Sequence, residues 1–270
     1  MGAEPSQAVI SGATLSWREA GEGGDVLVLV HAFPFSSAMW RPQLEAPPAG
    51  WRVIAPDLRG FGGSGPVTGD RLPMDLLAQD VIALIRHLGV RRAVIGGLSM
   101  GGYVTFALLR HAPELVRGLV LSDTRAGADS VEGRQGRLKN AKHVQANGSA
   151  ALIDAMVPRL LHEDTRAKRP HVEQEMRSIM GAAQPKAVIA ALLGMAERPD
   201  SSPQLRSINV PTQVIVGAND QITPPGDARL LARAIPGAQI EIIPNAAHLP
   251  NLEQPAAFNN VLGAFLARVR

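Results

Sequence analysis

Cysteine is absent from the 270-residue chain, which excludes disulfides, thiolate metal sites and a cysteine nucleophile and leaves no redox clue. Aromatic residues are scarce at 4%, with one tyrosine and three tryptophans to serve as stacking platforms. The formal charge is only +3, and the basic residues, mostly arginine, are scattered rather than striped, so nucleic acid is not an expected partner. No stretch is long and apolar enough to span a bilayer, and the first residues lack the basic start and apolar run of a signal peptide. A soluble cytoplasmic protein with no membrane partner is expected. Gly2 and Ser6 fit a loose myristoylation pattern, but with Pro5 inside it the match is read as chance.

What is present is enough for one large core. Hydrophobic residues make up 46% of the chain and charged residues 19%, a composition and length that suit a single α/β domain with an insertion. Ala8 to Glu19 alternates around Ser11-Gly12 as a hairpin does, and Asp25 to Val30 is a continuous aliphatic run fit for a buried central strand. Arg52–Asp57, Ala93–Gly96, Gly118–Asp123, Thr212–Gly217 and Gln239–Pro244 are similar short β-branched runs bounded by Gly, Pro or Asp. Together they make about eight strands. Helical spacing marks Met74–Leu88, Gly102–His111, Ala228–Ala234 and Ala256–Val269.

Strand alternating with helix implies a mostly parallel sheet flanked by helices. The alternation stops between about 125 and 205, where roughly four helical segments follow one another. This block is expected to be a helical cap (125–205) inserted into a core formed by 1–124 and 206–270. It begins just past a strand end, on the side where open α/β sheets bind ligands.

Residues 92 to 104 carry the chemistry. A short apolar strand runs into Gly97-Leu98-Ser99-Met100-Gly101 and then into a helix, the arrangement of a nucleophile elbow. Gly97 and Gly101 let strand and helix approach, while Ser99 takes a strained conformation that lifts its hydroxyl clear of the sheet. A serine hydroxyl needs a base within hydrogen-bond reach and a third group that fixes the base's tautomer. Asp220 and His248 supply both, each in the loop after its own strand.

Asp123 also follows a strand and is the rival acid, although its run into Thr124-Arg125 reads as a turn or cap. His87, His111, His143, His162 and His171 fall in helical or helix-end contexts and are set aside. For the oxyanion of a tetrahedral intermediate, the expected backbone donors are Met100 N–H, at the helix start, and Phe33 N–H, in the loop after the first central strand. His31 is read as a loop-organising residue.

With these residues in view, Val30-His-Ala-Phe-Pro34, Asp57-Leu-Arg-Gly-Phe-Gly62, Gly97-Leu-Ser-Met-Gly-Gly102, Asp220 and His248-Leu-Pro250 resemble the α/β-hydrolase superfamily over essentially the whole chain. Gly97–Tyr103, Asp123–Ala126 and Gly194–Asp200 are similar to small bacterial carboxylesterases with a four-helix cap, relatives of the 3-oxoadipate enol-lactonases. The resemblance implies an α/β-hydrolase fold and a serine hydrolase that cleaves small-molecule carboxylic esters through an acyl-enzyme. It implies no cofactor and no metal.

Short acyl groups are expected, with Met156, Met180, Met195, Leu160 and Leu192 as candidates for an apolar acyl pocket. Two alternatives stand beside this reading. One is an anionic lactone as substrate, clamped by Arg125, Arg134 or Arg137; the other is a low-turnover ligand-binding protein on the same fold. Oligomeric state is left open.

One departure concerns Ala32, which stands where the superfamily usually has glycine. If that position requires positive φ, its Cβ costs roughly 1–2 kcal/mol. Two further patterns are set aside. Gly60–Gly65 fits G-x-G-x-x-G, but Pro66 onward continues as loop where a dinucleotide site needs a helix. His162-Glu163-Asp164 reads as a polar helix start rather than a metal site.

Overall fold

The computed structural model describes residues 4–269, so Gly2 of the acylation pattern lies outside the described residues. Eight strands form one sheet in the order β1-β2-β4-β3-β5-β6-β7-β8. β1 (Pro5–Ile10) and β2 (Ala13–Ala20) are the hairpin, turning at Ser11-Gly12, and β2 lies antiparallel to β4 (Trp51–Asp57). From β4 the sheet is parallel through β3 (Asp25–Val30), β5 (Ala93–Leu98), β6 (Val116–Ser122), β7 (Thr212–Gly217) and β8 (Gln239–Ile243).

The central strands read as unbroken apolar runs because both sheet faces are covered. In β3, Val28 and Val30 pack into one core with residues of α2 (Met74–His87), α3 (Met100–His111) and α9 (Pro225–Ala234). Leu27 and Leu29 point the other way, into a second core with α1 (Arg41–Glu45) and α11 (Pro255–Val269). A strand's alternation of side chains thus feeds two helical layers.

Between β6 and β7 lie α4 (Val131–Asn147), α5 (Ala150–Leu160), α6 (Glu163–Lys168), α7 (Pro170–Gly181), α8 (Pro185–Ala196) and a 3₁₀ segment at Ser202–Ser207. The segment holds five α-helices where roughly four were expected. The extra one, α6, is six residues long, too short to show a helical period.

The two ends of this segment are fastened together by Arg198, which is almost fully buried. It donates to Met195 O at 3.0 Å and Gly127 O at 2.9 Å, pairs with Asp129 at 2.8 Å and lies 4.1 Å over the Tyr103 ring. Ser201 N–H adds a bond to Ala126 O at 2.9 Å. No single helix among the described residues is long and apolar enough to cross a membrane.

Candidate active site

The elbow forms because β5 turns into α3 with no room for side chains on the inside. A Cβ on Gly97 would sit 2.2 Å from Gly101 O, and one on Gly101 would sit 2.2 Å from Val30 O. Ser99 between them adopts φ 55°, ψ −113°, a conformation that costs an L-residue about 1–3 kcal/mol. Its backbone is held on both sides, since Ser99 N–H donates to Ser122 O at 3.0 Å and Thr124 Oγ1 donates to Ser99 O at 2.8 Å.

The loop after β7 places Asp220, and the loop after β8 places His248; both are buried. Their side chains meet, with His248 Nδ1 2.7 Å from Asp220 Oδ2. Thr223 Oγ1 donates to the same oxygen at 2.6 Å, while the Ile222 and Thr223 amides donate to Oδ1 at 2.7 and 3.1 Å. Burial by itself would raise the Asp220 pKa, but the charge and hydrogen bond of His248, with the Thr223 and Ile222 donors, hold it below the usual value. The carboxylate therefore stays charged and favours the tautomer in which the Nδ1 facing it is the donor.

Ser99 Oγ and His248 are not hydrogen-bonded among the described residues; catalytic hydrogen bonds commonly close only once substrate is bound.

Asp123 belongs to the same cluster. Ligand atoms of Asp123, Asp220 and His248 lie within 4.8 Å of one another. Asp123 accepts from Ser122 Oγ at 2.6 Å and Gly217 N–H at 2.9 Å, which links the elbow strand's neighbour β6 to the acid-bearing loop. Burial and the adjacent Asp220 charge push the Asp123 pKa well above the usual carboxylate value. Two buried carboxylates this close do not both ionise, and Asp220, with more donors and the imidazole, takes the charge.

On the other side of the elbow, the loop after β3 brings in Phe33. Neither Phe33 N–H nor Met100 N–H donates to another described residue. His31, fully buried, has Nδ1 2.8 Å from Ala32 O and accepts Leu58 N–H on Nε2 at 3.0 Å. This pattern is that of a neutral ring tying the loop to the end of β4, and burial lowers its pKa further. The expected strain at Ala32 is absent: it is not among the positive-φ residues, so its Cβ costs nothing there.

Phe33 also lines a cavity of about 520 Å³ beneath α4 and α5. Its lining is mixed, with Leu152, Met156, Leu192 and Ile222 apolar, Arg125, Arg137 and Arg159 basic, and Asp129 acidic. Of the residues expected in an acyl pocket, Met156 and Leu192 line this cavity, and Met180, Leu160 and Met195 do not. Helical spacing alone cannot say which buried face meets a cleft and which meets a neighbouring helix. Arg134 is exposed on α4 and is not part of the cavity wall.

The two patterns set aside earlier are loop and cap. Gly60–Gly65 wraps the buried Asp57 carboxylate, which accepts Ser37 N–H at 2.7 Å and Gly63 N–H at 2.9 Å. A Cβ on Gly62 would lie 2.2 Å from the Asp57 carboxyl carbon, so the cradle is already filled. His162 is the N-cap of α6, its Nδ1 accepting Asp164 N–H.

Three residues escaped the sequence reading: Thr124 and Thr223, whose contacts are given above, and Glu253, which accepts the amide next to His248, Ala247 N–H, at 2.6 Å. Only Thr223 had a signal, since a threonine three positions after an aspartate suits a side-chain-capped turn.

The chain belongs to the α/β-hydrolase family: residues 25–255 match the model described as alpha/beta hydrolase fold. Among solved structures it is similar to a thermophilic esterase from Thermogutta terrifontis, described as malate bound, at 40% identity and TM-score 0.94 over 99% of each chain. It is also similar to the enol-lactonase from Burkholderia xenovorans LB400, at 30% identity and TM-score 0.89 over 97% of this chain and 100% of that one. A curated relative, 3-oxoadipate enol-lactonase 2 of Acinetobacter baylyi, is 28% identical over 90% of this chain and 88% of its own length. A hydrolase with esterase and lactonase neighbours is what these likenesses support.

Proposed function

We propose that the protein is a cytoplasmic serine hydrolase that cleaves short-chain carboxylic esters through an acyl-enzyme, with Ser99 as nucleophile, His248 as base and Asp220 as the acid that orients it. The observations that carry this reading are the buried Asp220–His248 contact at 2.7 Å and the strained elbow conformation of Ser99.

In this mechanism His248 Nε2 takes the Ser99 proton as Oγ attacks the ester carbonyl. Asp220 stabilises the imidazolium, and the free Phe33 and Met100 amides hold the oxyanion, each donor worth about 3 kcal/mol. The imidazolium then protonates the leaving alcohol, and water repeats the sequence on the acyl-enzyme. Taken as the acyl pocket because Phe33 lines it, the cavity has a mixed lining that favours short or polar acyl groups over long chains.

The test is a series of p-nitrophenyl esters run alongside a fluorophosphonate probe. Turnover highest for acetyl and butyryl, with the probe on Ser99 and both lost in Ser99→Ala, is expected. A wild-type protein that neither reacts with the probe nor turns over any ester is the binding protein instead.

A second reading keeps the residues and replaces the ester with an anionic lactone. Arg125, Arg137 and Arg159 in the cavity lining favour it, and the lining acid Asp129 is already shared between Arg137 and Arg198. Competition between a carboxylate-bearing lactone and a neutral ester decides between the two.

A further inference from the structure

Two backbone amides from distant parts of the chain converge on one carboxylate. Glu253, the last residue of α10 (Pro250–Glu253), is 0% exposed. Its Oε1 accepts Ala247 N–H at 2.6 Å and its Oε2 accepts His162 N–H at 2.6 Å. Ala247 is the residue before His248, while His162 joins α5 to α6 in the inserted helices.

The same two segments are stitched once more, because His248 N–H donates to Leu160 O at 3.1 Å. Arg169, between α6 and α7, holds the acid's own backbone by donating to Glu253 O at 2.7 Å, and reaches Thr165 Oγ1 at 2.9 Å. Burial raises the Glu253 pKa against the Ala247 and His162 donors, which lower it. An acid buried this deeply is costly unless each oxygen is matched, and here the matches are one amide of the base-bearing loop, one amide of the cap and the Thr165 hydroxyl, also of the cap.

We propose that Glu253 is a positioning residue: by gripping both amides it sets the His248 imidazole relative to the cap, so that the base is correctly placed only when the cap is docked. This rests on His248 being the base, as read above. Placement errors of about 1 Å at reacting groups cost up to roughly a hundredfold in rate, which is the scale on which such a link acts.

The cap-side grip can be cut from the cap, where a proline ring at 162 takes the place of the amide hydrogen that meets Glu253 Oε2 at 2.6 Å and makes the carboxylate withdraw. His162 has φ −59° and the preceding Leu161 has φ −121°, ψ 140°, both compatible with proline at 162. His162→Pro removes the N–H that Glu253 holds, while His162→Ala removes only the side chain. The readouts are kcat and KM on p-nitrophenyl acetate, normalised to Ser99 sites titrated with the fluorophosphonate, and the melting temperature.

His162→Pro is expected to lower kcat roughly tenfold or more relative to His162→Ala with little change in KM, since only placement of the base is disturbed. Glu253→Gln, which can accept only one of the two amides, is expected to fall alongside it. A His162→Pro variant with the kcat of His162→Ala and only a lowered melting temperature overturns the proposal, whether or not Glu253→Gln folds. If wild type itself takes no probe at Ser99 and hydrolyses no ester, the triad reading has failed instead.

Discussion

Asp220→Asn tests the relay at its acid. Truncation to alanine is the wrong variant, because Asp220 accepts from His248, Thr223 Oγ1 and the Ile222 and Thr223 amides. Each buried donor left unpaired costs about 1–3 kcal/mol, so alanine threatens the fold itself. Asparagine keeps an oxygen for the two amides, and the Thr223 hydroxyl can turn to accept from the new NH₂. Little stability is lost, but the NH₂ now faces His248 Nδ1 and favours the tautomer with Nδ1 bare and Nε2 protonated. A protonated Nε2 cannot take the serine proton.

The expected loss is about 10⁴-fold in kcat, or about 5.4 kcal/mol of transition-state stabilisation. It would be measured on p-nitrophenyl acetate at pH 7–8 with circular dichroism and a melting curve as fold controls. A folded variant within tenfold of wild type would refute the assignment of Asp220. If that residual activity then vanished on adding Asp123→Asn, the rival carboxylate would be the working acid.

Asp123→Asn by itself is expected to stabilise the protein at neutral pH. The folded state raises the Asp123 pKa above its usual 3.8, so above that pH the unfolded chain releases a proton the folded one retains, and stability falls as pH rises. The gain should shrink toward pH 4 in melting curves, and a variant less stable than wild type at pH 7 contradicts it. Ala32→Gly should leave kcat unchanged and cost about 0.5–1 kcal/mol, because a negative-φ alanine has no strain to relieve and glycine gains freedom only in the unfolded chain; a severalfold change in kcat would restore the idea of a strained loop. Gly194→Ala places a Cβ 1.8 Å from Leu72 O, where α8 meets the segment before α2. Overpacking of about 1–3 kcal/mol should lower the melting temperature by roughly 2–10 °C, and an unchanged melting curve would show that α8 can shift at no cost.

The strands were legible in the sequence because a sheet buried on both faces needs continuous β-branched runs, and Asp25–Val30 and Thr212–Gly217 appear with the bounds expected of them. The elbow was legible for a steric reason: the contacts a Cβ would make at Gly97 and Gly101 leave glycine as the residue that fits. The short helices α1, α6 and α10 were not, since four to six residues carry no period. The cavity wall was half legible. Met156 and Leu192 line it, whereas Met180 and Met195 share their spacing but do not.

Glu253 shows why the remainder was hidden. In sequence it is one acidic residue near a proline-bounded helix start, with nothing to separate it from a solvated one. Its meaning arises only when the loop after β8 and the α5–α6 junction, the latter 91 positions from Glu253, deliver two amides to the same carboxylate. Chemistry borne by a residue's own side chain, as proposed for Ser99, Asp220 and His248, announces itself by type and by place after a strand. Chemistry borne by what a side chain holds in position is written in long-range contacts, and it is there that the proposed coupling of cap to base has to be sought.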